Sequence, residues 1–226
     1  MTIAERFRAT RAAVEAACAD AGRRAEEVTL VAVSKLHPAA AIEEAIAAGA
    51  TDLGENYVQE LVSKKADVQG AARWHFIGHL QRNKARQLAG QVALIHAVDS
   101  LALGVELSRR LPAGATQAVL VAVNVAGEAT KSGVAPTDAP ALIAALAEQP
   151  GLAVEGLMTM PPPTDDPEDA RPHFAALREL RDRLATTTRP LPHLSMGMSH
   201  DFAVAIACGA TLVRIGTAIF GARPSG

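Results

Sequence analysis

The sequence predicts an α/β chain folded as a single closed (β/α)8 TIM barrel, with one additional helix ahead of the first strand. Three observations carry that expectation. Short apolar strands alternate with amphipathic helices throughout the 226 residues, a pattern that calls for right-handed βαβ units and a parallel sheet. Eight strand-like runs can be counted, the number that closes such a barrel. No low-complexity segment or linker divides the chain, and the proline-rich segment 161–167 is too short to separate two domains. A doubly wound open sheet is the alternative, but no Gly-x-Gly-x-x-Gly follows the first strand, which speaks against its dinucleotide-binding form.

Residues 2–21 place Ile3, Phe7, Val14, Ala17 and Cys18 near one helical stripe, and Gly22 can end that helix. The run 28–35, Val-Thr-Leu-Val-Ala-Val-Ser-Lys, is β-branched and apolar up to its terminal cation, as in a buried strand. Pro38 then opens a helix over 39–48, closed by Gly49. A short strand at 52–54 precedes a helix over 55–68, and a strand at 74–78 precedes a helix over about 80–89. The strand 92–98 leads to Ser100, which caps a helix reaching about Leu111. Strand 118–125, the loop 126–135 and a helix from Pro136 to before Pro150 make the fifth unit. A sixth strand, 152–160, is followed by a helix over about 168–185. The last strands, 191–196 and 210–215, flank a helix over about 200–208.

Composition narrows the function classes. Hydrophobic residues make up 49% and charged residues 20%, as expected of a soluble globular protein. A formal net charge of -2 provides no global field to attract nucleic acid or an anionic membrane, so any anion site must be local. Arg82, Lys84 and Arg86 form only a short basic cluster, read as a solvated helix face. Cys18 and Cys208 fit neither a disulfide framework nor a zinc pattern. His75 and His79 straddle a strand end, without the helical spacing of a zinc site, and no metal is expected. With no signal peptide and no long apolar run, a cytoplasmic protein is expected.

In a barrel of this kind the active groups lie on the loops after the strands. Lys35 is on that face by construction. An ammonium at the rim of an apolar core either finds an anion or loses its proton, and the neutral amine attacks aldehydes; the alternative is a lysine that marks where the strand meets water. Glu55, Asn56, His79, Asp99, Asn124, Lys131, Met158 and Met160 fall on the same face. The loops after strands seven and eight are the usual phosphate site. In Ser195-Met196-Gly197-Met198-Ser199 the glycine permits close backbone approach, the serines add hydroxyl donors, and the next helix adds free N–H groups. Gly216 and Thr217 can donate to the same oxygens, although Ser199 could instead merely cap its helix. Arg214 falls inside the apolar run Leu-Val-Arg-Ile-Gly, where a guanidinium needs acceptors, from an acid in the barrel or from a ligand.

Five motifs in order closely resemble the pyridoxal phosphate homeostasis proteins, relatives in fold of the alanine racemase N-terminal barrel. They are Val-Ala-Val-Ser-Lys at 31–35, Gly-Glu-Asn-Tyr-Val-Gln-Glu at 54–60, Trp-His-Phe-Ile-Gly-His-Leu-Gln-Arg-Asn-Lys at 74–84, Leu-Ser-Met-Gly-Met-Ser-His-Asp at 194–201, and Val-Arg-Ile-Gly-Thr-Ala-Ile-Phe-Gly at 213–221. The resemblance implies that Lys35 forms a Schiff base with pyridoxal 5'-phosphate (PLP). It implies further that Ser195, Gly197, Ser199, Gly216 and Thr217 hold the phosphate and that Arg214 faces the pyridine nitrogen. Asn56, His79 and Met158 would line the ring pocket.

A protonated ring nitrogen is what makes this cofactor an electron sink. Two unit charges about 4 Å apart at an effective dielectric near 20 repel by about 4 kcal/mol, so a fixed arginine opposes that protonation. Racemisation also needs a second base, which the resemblance implies is a tyrosine from a separate C-terminal domain in the racemases. The sequence ends at Gly226, and its single tyrosine, Tyr57, reads as a packing or rim residue. The expectation is therefore a monomeric carrier in intracellular PLP homeostasis, with no assigned catalytic residue, that sequesters the aldehyde and delivers it to PLP-dependent apoenzymes. A minimal amino-acid racemase and a Schiff-base aldolase are the alternatives. Lys131 is the competitor for Lys35.

Overall fold

The computed structural model describes residues 1–128 and 132–222. Eight parallel strands close into a barrel in sequence order: β1 (Thr29–Val33), β2 (Asp52–Glu55), β3 (Arg73–Phe76), β4 (Leu94–Val98), β5 (Gln117–Ala122), β6 (Leu152–Met158), β7 (His193–Ser195) and β8 (Leu212–Ile215). The closing seam pairs β1 with β8 and sets Val31 beside Arg214. Outside the strands lie α1 (Ile3–Asp20), α2 (Ala39–Ala47), α3 (Val58–Asp67), α4 (Leu101–Arg110), α5 (Ala139–Ala147), α6 (Arg171–Leu184), α7 (Phe202–Ala207) and α8 (Thr217–Phe220).

Local chemistry explains the starts of two helices. Thr2 and Glu5 form a capping box at the start of α1, and Ser100 caps α4. The helix expected over 80–89 is instead a 3-10 segment, Arg82–Gln87. Its buried Ala85 and Leu88 are three residues apart, the repeat of that tighter helix. The terminal turn α8 has no counterpart in the sequence reading. Helix α1 covers the seam side of the barrel, packing on α7 and α8, and Arg6 donates from Nε to the Ile219 carbonyl at 2.7 Å. Among the described residues no helix is long and apolar enough to cross a membrane.

Strand alternation sorts the core into two layers. Residues facing the helices, such as Ala32, Leu53, Phe76, Ile95 and Val213, build the large outer cluster. Inside the barrel the apolar cluster is small, with Val31, Leu94, Leu120, Met158 and Leu212 among its members. Beside it runs a chain of buried polar side chains. His75 Nε2 meets Asp52 Oδ1 at 2.9 Å and His75 Nδ1 meets His96 Nε2 at 2.9 Å. His96 Nδ1 lies 2.8 Å from Ser195 Oγ, which accepts from Arg214 Nη1 at 2.5 Å. Arginine only donates, so one assignment satisfies every donor in the chain. Arg214 donates to Ser195, Ser195 to His96, His96 through Nε2 to His75, and His75 through Nε2 to the Asp52 carboxylate.

This polarity requires a neutral His96, and burial, reinforced by the nearby charge of Arg214, pushes its pKa well below the usual 6.5. The unfolded chain takes up a proton on His96 below that value and the folded chain does not, so stability falls as pH drops. This loss sets in as pH falls through about 6.5 and grows toward about pH 5. His96→Gln, whose amide can accept from Ser195 and donate to His75, should show a shallower decline in urea midpoint over that range. A separate test concerns Gly156 in β6, at φ 156°, where an added Cβ would lie 1.9 Å from the His193 carbonyl oxygen. Gly156→Ala should lose about 3 kcal/mol in urea unfolding, since backbone cannot move aside as a side chain can. Gly104→Ala, which clashes only with the end of the Leu146 side chain, should lose less.

Candidate functional site

At the C-terminal mouth of the barrel lies a cavity of about 390 Å³, within the range of small-molecule pockets. Lys35, Asn56, His79, Met158, Ser199, Arg214, Gly216 and Thr217 all line it. The other two expected residues do not. Ser195 is fully buried one layer below, its hydroxyl held between Arg214 and His96. Gly197 packs beneath the loop at φ 92°, where a Cβ would come within 2.6 Å of Ala205 Cβ. Lys131 lies outside the described residues.

Most lining groups are delivered by the turns after the strands, while Met158 and Arg214 come from β6 and β8 themselves. Lys35 follows β1, in a turn closed by the His37 N–H donating to the Ser34 carbonyl at 3.1 Å. Asn56 follows β2 and approaches β3 closely; a Cβ on Gly78 would sit 2.1 Å from the Asn56 carbonyl oxygen. The side-chain Oδ1 of Asn56 is buried without a hydrogen-bond partner. His79 stands at the rim, its side chain 56% exposed, with Nδ1 3.4 Å from Asp99 Oδ2. Ser199 is not the cap of α7. That position belongs to Asp201, whose carboxylate accepts from the Met198 N–H at 2.6 Å, leaving Ser199 in the preceding turn. Helices α7 and α8 have six and four residues, so donors here are turn amides and hydroxyls rather than a long helix dipole.

Arg214 forms the floor. It is 5% exposed, and Nη2 donates to the Thr159 carbonyl at 3.0 Å while Nη1 binds Ser195. Burial lowers its pKa to about 10, opposed by the charge of Asp201, and at neutral pH it remains a cation. An acid bonded directly to it was one sequence-based expectation; its hydrogen bonds run instead to neutral oxygens.

Glu55 departs from expectation. Its position after the strand expected at 52–54 suggested the mouth, yet it is the last residue of β2 and fully buried on the outer side of the wall beneath α3. There Glu55 Oε1 accepts from Ser34 Oγ at 2.6 Å and from Lys64 Nζ at 2.7 Å. Desolvation raises the Glu55 pKa, with Lys64 and Ser34 opposing. Lys64 was missed in the sequence, although it lies three residues after Leu61 and six after Val58, on the stripe that α3 buries. His96 and Asp52 were missed as well. His96 interrupts the apolar strand Leu-Ile-His-Ala-Val, a signal of the same kind as Arg214.

The model of the alanine racemase N-terminal domain family matches residues 10–224. A Pseudomonas aeruginosa relative named pyridoxal phosphate homeostasis protein is 48% identical, over 100% of this chain and 97% of the relative. The Aquifex aeolicus protein of the same name is 46% identical, over 99% of each. Among solved structures, PipY of Synechococcus elongatus with PLP bound matches with a TM-score of 0.82 at 35% identity, over 97% of this chain and 100% of that one. The alanine racemase of Corynebacterium glutamicum, at a TM-score of 0.73 and 20% identity, shares the fold over 99% of this chain and 62% of its own. With near full-length identity to the first two and the same barrel as the third, the chain belongs to the pyridoxal phosphate homeostasis protein family.

Proposed function

We propose that the protein holds pyridoxal 5'-phosphate at Lys35 and serves its intracellular homeostasis, sequestering the aldehyde and delivering it to apoenzymes without strong turnover of its own. The observation that carries this reading is a lysine, a buried guanidinium and two hydroxyl-bearing turns around one cavity of cofactor size. The names of the relatives and the PLP-bound PipY structure support it.

The donor set fits the group. When bound, the cofactor supplies an aldehyde that condenses reversibly with a primary amine and releases water. Lys35 presents that amine from the β1 turn. Ser199, Gly216 and Thr217 offer hydroxyl and amide donors to a phosphate, and Met158 gives an apolar surface for a ring. Asn56 Oδ1, buried and without a partner, is an acceptor waiting for a ligand hydroxyl or a donor of similar size. Arg214 can only donate, so it would hold a ring nitrogen as an acceptor and oppose its protonation. This limits carbanion chemistry and favours storage over turnover.

Protein incubated with pyridoxal 5'-phosphate and reduced with borohydride should carry the cofactor on the peptide containing Lys35. Wild-type incorporation into Lys35→Ala would refute the assignment. A racemase is the second reading, favoured by the family model and by the His79–Asp99 pair at the mouth, which has the chemistry of an oriented base. Solvent deuterium exchange at the α-carbon of amino acids separates the two. The carrier reading expects at most traces; multiple turnovers that His79→Ala abolishes would establish the racemase.

A further inference from the structure

The turn that carries Lys35 has an anomalous residue. Leu36 adopts φ 65°, a conformation that a branched side chain enters at a cost and that such turns normally assign to glycine. Leu36 is also 48% exposed, so burial of its side chain does not explain the conformation. The explanation lies in the backbone on either side of Lys35. The Leu36 N–H donates to Glu60 Oε1 at 2.5 Å, and the Ser34 carbonyl accepts from Lys64 Nζ at 2.6 Å.

These two grips form one device. Lys64 Nζ also reaches Glu60 Oε1 at 2.6 Å and Glu55 Oε1 at 2.7 Å, and Glu55 Oε1 accepts from the Ser34 hydroxyl. Ser34 is thus fixed through its carbonyl and its hydroxyl, and its N–H donates to the Gly54 carbonyl at 3.1 Å. A buried lysine between two carboxylates is a poor way to stabilise an outer core, because apolar residues of the same size do as well without desolvation. What it provides is a fixed geometry for the peptide units flanking one residue.

We propose that Glu55, Glu60 and Lys64 are positioning residues for Lys35, a charged clamp on the outer wall that holds the Leu36 turn in its left-handed conformation and so aims the Lys35 amine into the cavity. The role rests on the reading that Lys35 is the attachment point. The clamp itself is a property of the ligand-free chain.

Glu60 is partly exposed, so Glu60→Ala should fold, and it removes the acceptor of the Leu36 N–H. In ligand-free protein, hydrogen exchange at the Leu36 amide should accelerate at least about tenfold, as expected when a hydrogen bond worth about 1.4 kcal/mol is lost. Attachment of pyridoxal 5'-phosphate to Lys35, followed by borohydride trapping over time, should slow by a similar factor. Glycine takes φ 65° without support. The double variant Glu60→Ala/Leu36→Gly should therefore recover most of the attachment rate, which relief of a general loss of stability would not do. Wild-type attachment by Glu60→Ala, or equal slowing with and without Leu36→Gly, overturns the proposal. Trapping on a residue other than Lys35 in the wild type would defeat the attachment reading instead, while Leu36 exchange would still decide whether the clamp exists.

Discussion

A guanidinium inside a barrel is the constraint from which much of this structure follows. Arg214 points inward from β8, and a cation there is costly unless its donors are met. Ser195 meets one of them, and by doing so must pass its own proton on to His96. That requirement then runs through His75 to Asp52, near the opposite end of the barrel. The interior is consequently part polar, where a barrel of this kind is ordinarily filled by layers of branched apolar side chains. The small apolar cluster beside the chain is what remains of those layers.

Polar groups thus support the mouth from both sides of the barrel wall. On the inside, the histidine chain fixes the floor beneath Arg214. On the outside, carboxylates and an ammonium fix the turn of Lys35. Neither arrangement is the most stabilising filling available to its site, and both restrict geometry. They converge across the β1–β8 seam, where Val31 pairs with Arg214 and Gly216 lies against Val33. Orientation of an amine and a guanidinium on one cavity is what this polar framework achieves.

The barrel was legible because its signals are local and repeated. Apolar strands such as Val-Ala-Val and Leu-Ile-His-Ala-Val, followed by turn residues and amphipathic helices, need no knowledge of their partners. Lys35, Arg214, Gly216 and Thr217 were legible for the same reason: strand ends determine which residues reach the mouth. Residues 82–87 misled because Arg, Lys and Gln are good α-helix formers, whereas packing at Ala85 and Leu88 decided the tighter 3-10 geometry. Glu55 misled because it is the last residue of β2 and strand alternation sends it outward. Lys64, His96 and Asp52 were hidden for a different reason. Their partners are distant in the chain, so a charge or imidazole on a buried stripe announces a need without naming what satisfies it.

The seam between β1 and β8 joins segments about as far apart in sequence as the described chain allows, with Thr29 beside Leu212. Helix α1 and the turn after it reinforce the same join, the helix through Arg6 to Ile219 and the turn through Arg23 to Ala210. Contacts of such long range form slowly, because a large loop must close before they are rewarded. On the ribosome β1 must wait for the seven strands that follow it before its partner β8 exists. Lys35 is synthesised early, but it cannot face Arg214 until the ring has shut. A ligand that touches both Lys35 and Arg214 would bind only the closed ring, and so would stabilise the seam itself against unfolding.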